Sequence, residues 1–199
     1  MDADFWNHRY AGAEYLYGTT TNDFVAEVAL RIPPGPVLCL AEGEGRNAVH
    51  LAMLGHAVTA VDQSAVALGK AWQLAAARKV VLETVTADLA SYTIAPGAWA
   101  GIVSVWAHVA PALRRRIHAQ VAGGLRAGGL FILEAYTPAQ LAFDTGGPRR
   151  IDMLMTATQL REELAGLDFE IVRELERDVR EGTQHTGRAA VVQVLARRP

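Results

Sequence analysis

Two glycines two residues apart, in Ala41-Glu42-Gly43-Glu44-Gly45-Arg46-Asn47-Ala48, follow directly on an apolar run. Gly43 and Gly45 let a ligand approach the backbone with no Cβ in the way. Two later apolar runs also end in an acid, in Asp62-Gln63-Ser64 and in Thr86-Ala87-Asp88-Leu89. Ligands of open α/β sheets bind outside the carboxyl ends of the strands, so these acids are expected to gather at one rim. The pattern Gly43-x-Gly45-x-x-Ala48 fits the dinucleotide fingerprint, and Asp62 lies near the offset of its ribose-binding acid. Charge argues for another ligand. A pyrophosphate on this turn would face Glu42 and Glu44, whereas S-adenosylmethionine carries a sulfonium and an ammonium and no phosphate. For that cofactor Asp62 would accept from both ribose hydroxyls and Asp88 from the adenine amino group. Asn47, Gln63, Ser64, Leu89 and Trp106 complete the expected cofactor contacts.

Methyl transfer is an in-line displacement at an activated carbon, so the protein mainly aligns the acceptor and excludes water. A thiol or reduced chalcogen anion needs no base, while a hydroxyl or amine would use one. His108, beyond the fourth strand, stands where such a base or an acceptor-positioning group is expected, or else it holds the loop before Pro111. The acceptor pocket is assigned to Trp6, Tyr10 and Tyr17 of an aromatic lead, to Tyr136 after the fifth strand, and to Arg149 in the stretch Gly146-Gly147-Pro148-Arg149-Arg150. That stretch reads as a cover, and the aromatic lead as a lid or a packed arm. Arg114 to Arg116 read as a solvated helix face, and 181–187 as a loop without a catalytic part. No Cys/His cluster has metal-ligand spacing, so no metal is expected.

Short β-branched runs at 37–41, 57–61, 81–86, 101–105 and 129–135 alternate with helical stretches, as in βαβ units feeding a parallel sheet. Helices are expected at 47–54, from Ser64 to about residue 78, and, past His108 and Pro111, in an arginine-rich stretch ending at Gly123-Gly124. The end differs: a short helix at 158–165 precedes two β-rich segments, 169–179 and 189–196, joined by a glycine turn, which predicts a hairpin with one antiparallel strand. Residues 1–35 form an arm with a helix at 22–30, too small for a domain, so residues 1–199 are read as one domain.

The order of glycine loop, Asp62, Asp88 and terminal hairpin resembles the class I S-adenosylmethionine-dependent methyltransferases, over about residues 22–199. The resemblance implies a Rossmann-like three-layer α/β sandwich, with a mostly parallel seven-stranded sheet and an antiparallel C-terminal hairpin strand. Leu40 to Ala48, and Tyr17-Gly18 through Asn22-Asp23-Phe24, are similar to the small bacterial branch with tellurite-resistance and thiopurine-type methyltransferases. That branch implies a small-molecule acceptor such as a thiol, selenium or tellurium species. Many relatives carry an acid inside the first strand where this chain has Cys39, which leaves Glu42 or backbone carbonyls for the methionine ammonium. The alternatives are a nicotinamide-dependent oxidoreductase on the same sheet and a non-catalytic S-adenosylmethionine-binding module.

Composition narrows the partners. With 51% hydrophobic and 20% charged residues the chain has apolar material for a large core. Nineteen basic against 21 acidic residues, a net charge of -2, offer no general grip on nucleic acid. No apolar run is long enough to span a membrane. The acidic, aromatic start is unlike a signal peptide, and the single Cys39 suits a reducing compartment, so a cytoplasmic protein with a small-molecule partner is expected, its oligomeric state open.

Overall fold

Strand β1 (Val37–Leu40) shows why the sheet is sandwiched. Its side chains alternate, Val37 and Cys39 into one apolar cluster and Leu38 and Leu40 into another, and all four are buried. In the computed structural model, which describes residues 2–143 and 145–199, these clusters are the two cores on either face of one sheet. The first core takes Phe24, Val25 and Val28 from α2 (Asp23–Val28), and then Ala48 and Leu51 from α3 (Arg46–Met53). Leu68, Ala71 and Leu74 from α4 (Ala65–Ala77) complete it. The second takes Ile117 and Val121 from α5 (Pro111–Gly124) and Leu160 from α6 (Ala157–Glu163).

The remaining strands are β2 (Val58–Asp62), β3 (Glu83–Thr86), β4 (Trp99–Val105), β5 (Leu125–Tyr136), β6 (Asp168–Glu181) and β7 (His185–Arg197). The described residues form one seven-stranded sheet in the order β3-β2-β1-β4-β5-β7-β6. Pairing is parallel from β3 through β5, and β7 is antiparallel to both β5 and β6. The expected sandwich, mostly parallel sheet and reversed hairpin strand are all present. Because the order reverses between β1 and β4, the rim beyond β1, β2 and β4 is where the fold opens for a ligand.

Several boundaries differ from expectation for local reasons. Strand β3 begins at Glu83, since Val81 is 86% exposed and outside the ladder. Strand β5 begins at Leu125, where a register shift between Trp99 and Gly101 carries the pairing past the expected start. The hairpin runs longer, to Glu181 and from His185, so its tip reaches over the rim. The aromatic lead folds as helix α1 (Ala3–Tyr10), capped by Asp2 Oδ1 accepting from Phe5 N–H at 3.0 Å. Arg114, expected on a solvated face, is 3% exposed. It makes a two-pronged pair with Glu163 that fastens α5 to α6.

Candidate active site

The chain leaves β1 through Ala41 (φ 49°), Gly43 (φ 63°) and Gly45 (φ 90°), a sharp turn into α3. Gly45 is required by packing as well as by φ: a Cβ there would stand 2.5 Å from Ala71 Cβ of α4. The side chain of Glu42 folds back over the start of α3, its Oε1 accepting from Asn47 N–H at 3.0 Å and Ala48 N–H at 2.8 Å. Burial raises its carboxyl pKa to about 7, against the pull of these N–H groups and of Arg46. Glu44 is held inward, paired to the buried Lys70 and accepting from Tyr17 N–H at 3.3 Å.

Asp62, ending β2, clips the turn in place. Its Oδ2 accepts from Gly43 N–H at 2.9 Å and its Oδ1 from Ser64 N–H at 2.8 Å. Burial pushes its carboxyl up and these N–H groups, with that of Gln63, pull it back. Ser64 caps α4 and donates to Asn7 Oδ1 at 2.8 Å, which docks α1 on this rim. Asp88 is exposed, with one oxygen accepting from Ala90 N–H at 2.7 Å, while Leu89 is buried in the second core.

The helix α1 lies across this groove. A Cβ on Gly43 would meet Tyr10 Oη at 3.0 Å, Tyr10 is buried, and Trp6 stacks on it at 5.7 Å. Tyr10 also touches Tyr17, 6.1 Å between ring centres, and Tyr17 leads to a second group of rings. There Trp106, at φ 57° just after β4, stacks on Tyr136 at 4.3 Å. His185 stands edge-on to both, at 5.2 and 5.4 Å, and 4.7 Å from Tyr17. The expected glycine cover lies on these rings: a Cβ on Gly147 would meet Tyr136 Cδ2 at 2.6 Å. Gln140 holds it, donating to Thr145 Oγ1 and Gly146 O. Arg149 belongs to this cover and Arg150 pairs with Asp152; Asp144, in the same segment, lies outside the described residues.

Behind the rings is a buried charge cluster that the sequence did not announce. Glu181, at the end of β6, accepts from Arg46 Nη2 at 2.6 Å, Trp106 Nε1 at 2.6 Å and Asn22 Nδ2 at 2.8 Å. Glu134 is fully buried and accepts from Arg177 Nη2 at 2.6 Å and Asn22 Nδ2 at 2.8 Å. Burial alone would raise the Glu181 carboxyl, but His185, Arg46 and Trp106 hold it well below the usual range. The cluster ties the start of α3 to the hairpin tip, whose Gly182 leaves no room for a Cβ beside Leu16 of the arm.

Four expectations change. His108 has no lone pair to spare: Nδ1 meets Trp106 O at 3.1 Å, and Nε2 accepts from Tyr136 N–H at 2.9 Å. Burial first, and then His185, lower its pKa to about 3, so it is a neutral brace between the ends of β4 and β5 and not a base. The Asn47 side chain turns to the arm, its Oδ1 accepting from Thr21 Oγ1 and Asn22 N–H. Glu44, in the expected cofactor set, is spent on Lys70 and the arm. The segment 181–187, read as a loop, is the tip of the β6–β7 hairpin and places Glu181 and His185 against these rings. Their only trace in the sequence is an acid and a histidine four residues apart across a glycine turn.

No helix among the described residues is long and apolar enough to cross a membrane. Residues 37–129 match the methyltransferase domain family. No curated protein matches the chain. Among solved structures it resembles one described for the conversion of a disulfide bond into a thioacetal group during echinomycin biosynthesis. The TM-score is 0.79 at 20% identity, with 98% of this chain and 92% of that one covered. It also resembles the N-methyltransferase NodS from Bradyrhizobium japonicum WM9, in complex with S-adenosyl-L-homocysteine (TM-score 0.71, 16% identity, 99% and 98% covered). TehB from Haemophilus influenzae gives a TM-score of 0.68 at 19% identity, over 99% of this chain and 67% of that one. At these identities the structural likeness establishes the fold.

Proposed function

We propose that this chain, whose residues 37–129 match the methyltransferase domain family and whose fold is shared with S-adenosylmethionine-dependent methyltransferases, methylates a small molecule at a sulfur or related chalcogen atom. One observation carries the choice of donor over a dinucleotide. The backbone N–H groups that would cradle a pyrophosphate at the start of α3 are taken by the Glu42 carboxylate. A cationic cofactor is favoured by the acid that a phosphate would be repelled by. When bound, S-adenosylmethionine supplies a methyl group already activated on a sulfonium.

The chain's residues divide the rest of the work. Gly43 and the Asp62 carboxylate fit the ribose and its approach to the backbone, with Asp88 and Leu89 toward the base and Glu42 toward the ammonium. Trp106, Tyr136, Tyr17 and His185 wall the acceptor side, and α1 with the glycine cover excludes water. Aromatic walls suit a sulfur acceptor, and the neighbour that acts on a disulfide supports this. The N-methyltransferase neighbour supports an amine as the second reading. The balanced net charge favours a small-molecule partner over nucleic acid, and the single buried Cys39 favours a reducing, cytoplasmic setting. Calorimetric titration with S-adenosylhomocysteine and with NADH tests the donor. Saturable binding of the first and none of the second is expected, and the reverse would replace this function with an oxidoreductase.

A further inference from the structure

Two rings of this aromatic group each carry a buried polar atom without a hydrogen-bond partner, Tyr136 Oη and His185 Nδ1. Tyr136 is fully buried and His185 is 7% exposed, and a buried polar group left unpaired costs about 1 to 3 kcal/mol. Both rings pack against the glycine cover at Gly146, where a Cβ would stand 2.9 Å from Tyr136 Oη and 2.7 Å from His185 Cδ2. The two histidines of the group differ in kind. His108 has both nitrogens engaged, whereas His185 Nδ1 is 3.9 Å from Glu181 Oε2, at ion-pair range and beyond a hydrogen bond.

Charge indicates the state of the acceptor. Glu181 and Glu134 are matched by Arg46 and Arg177, so the cluster offers no surplus cation to a ready-made anion. The other titratable or charged groups facing His185 are Arg9, Tyr17, Tyr136 and His108. Burial keeps the His185 imidazole neutral, and Glu181 stands ready to stabilise an imidazolium.

We propose that His185 takes the proton of the acceptor, an uncharged thiol on an apolar body, with Glu181 as its positioning residue and Tyr136 Oη donating to the acceptor. This rests on the methyl-transfer reading above. The proton on Nδ1 faces Glu181, which leaves the Nε2 lone pair for the acceptor. The acceptor's S–H bond breaks and its proton passes to Nε2. The sulfur's electron pair forms the new bond to the methyl carbon, and the pair of the broken donor bond stays on the donor's thioether sulfur. The imidazolium then returns its proton to water. The base is thus on the hairpin tip and not on the loop after β4.

The test compares two thiols of similar size at about pH 8, thiophenol, which is ionised there, and benzyl mercaptan, which is protonated. His185→Gln is expected to slow methylation of benzyl mercaptan by about 100-fold and of thiophenol by less than about 5-fold, with an unchanged melting temperature and S-adenosylhomocysteine affinity. In the wild-type complex with S-adenosylhomocysteine, adding benzyl mercaptan should shift the side-chain ¹⁵N signals of His185 and leave those of His108 in place. Equal losses for both thiols, no loss for benzyl mercaptan, or a silent His185 would overturn the proposal, as would a wild-type protein that binds S-adenosylhomocysteine and methylates neither thiol. A protein that does not bind S-adenosylhomocysteine at all would instead defeat the methyl-transfer reading. If His185→Gln does not fold, Glu181→Gln replaces it, with the same differential loss expected and the same outcomes counting against it.

Discussion

Asp62 and Glu42 do different jobs at the same turn, and each carries a prediction. Asp62 accepts from Gly43 and Ser64 N–H groups and retains lone pairs for a diol. Asp62→Ala should weaken S-adenosylhomocysteine binding by about 1 to 3 kcal/mol in calorimetry, and unchanged affinity would remove Asp62 from the site. Glu42 has a pKa raised from 4.5 to about 7, so the folded chain holds this proton more tightly than the unfolded one. Its contribution to stability therefore falls as pH rises from about 4.5 through about 7. Donor affinity should run the opposite way, rising through about pH 7 as the carboxylate ionises beside the ammonium, and Glu42→Gln should flatten both profiles. The placement of Asp62 beside the glycine turn was legible because an acid closing the second apolar run lands at the same rim as the turn after the first. The place of His185 was not, since it rests on packing against Tyr17 of the arm, 168 positions away in sequence, and on a hairpin long enough to reach the rim.

Elements position these residues through a few close approaches. Gly45 lets α3 pass α4, and Gly45→Ala would force a Cβ to within 2.5 Å of Ala71 Cβ at a φ of 90°. A loss of about 1 to 3 kcal/mol in urea unfolding is expected; a neutral result would mean that the two helices separate freely. The strands of the sheet could be read as short, continuous β-branched runs with glycine punctuation, because β1 and β2 are buried on both faces. Helix α1 escaped the same reading. Its eight residues have no apolar stripe, and what makes it a helix is the Asp2 cap and its docking through Asn7 on Ser64. The true ends of β6 and β7 escaped as well, since polar residues such as Arg177 and Glu181 are buried there only by pairing with each other and with Glu134.

Across the molecule, the arm, the glycine cover and the hairpin tip enclose one site from three directions. Lys70 of α4 binds the arm at Gly12 O and Glu14 O, and Arg9 reaches Gln184 on the hairpin tip at 2.7 Å. These ties predict one cooperative thermal transition for the whole chain, raised by S-adenosylhomocysteine by about 2.7 kcal/mol at a hundredfold excess over Kd. A separate early transition of the arm, unmoved by ligand, would show that it does not close the site. On this reading the acidic glycine turn and Asp62 hold the methyl donor with its sulfur toward the Trp106, Tyr136 and His185 rings. A crystal structure with S-adenosylhomocysteine measures this directly. Ribose hydroxyls on Asp62 and the sulfur facing those rings are predicted; a ligand seated elsewhere, or a sulfur turned away from them, would contradict the account.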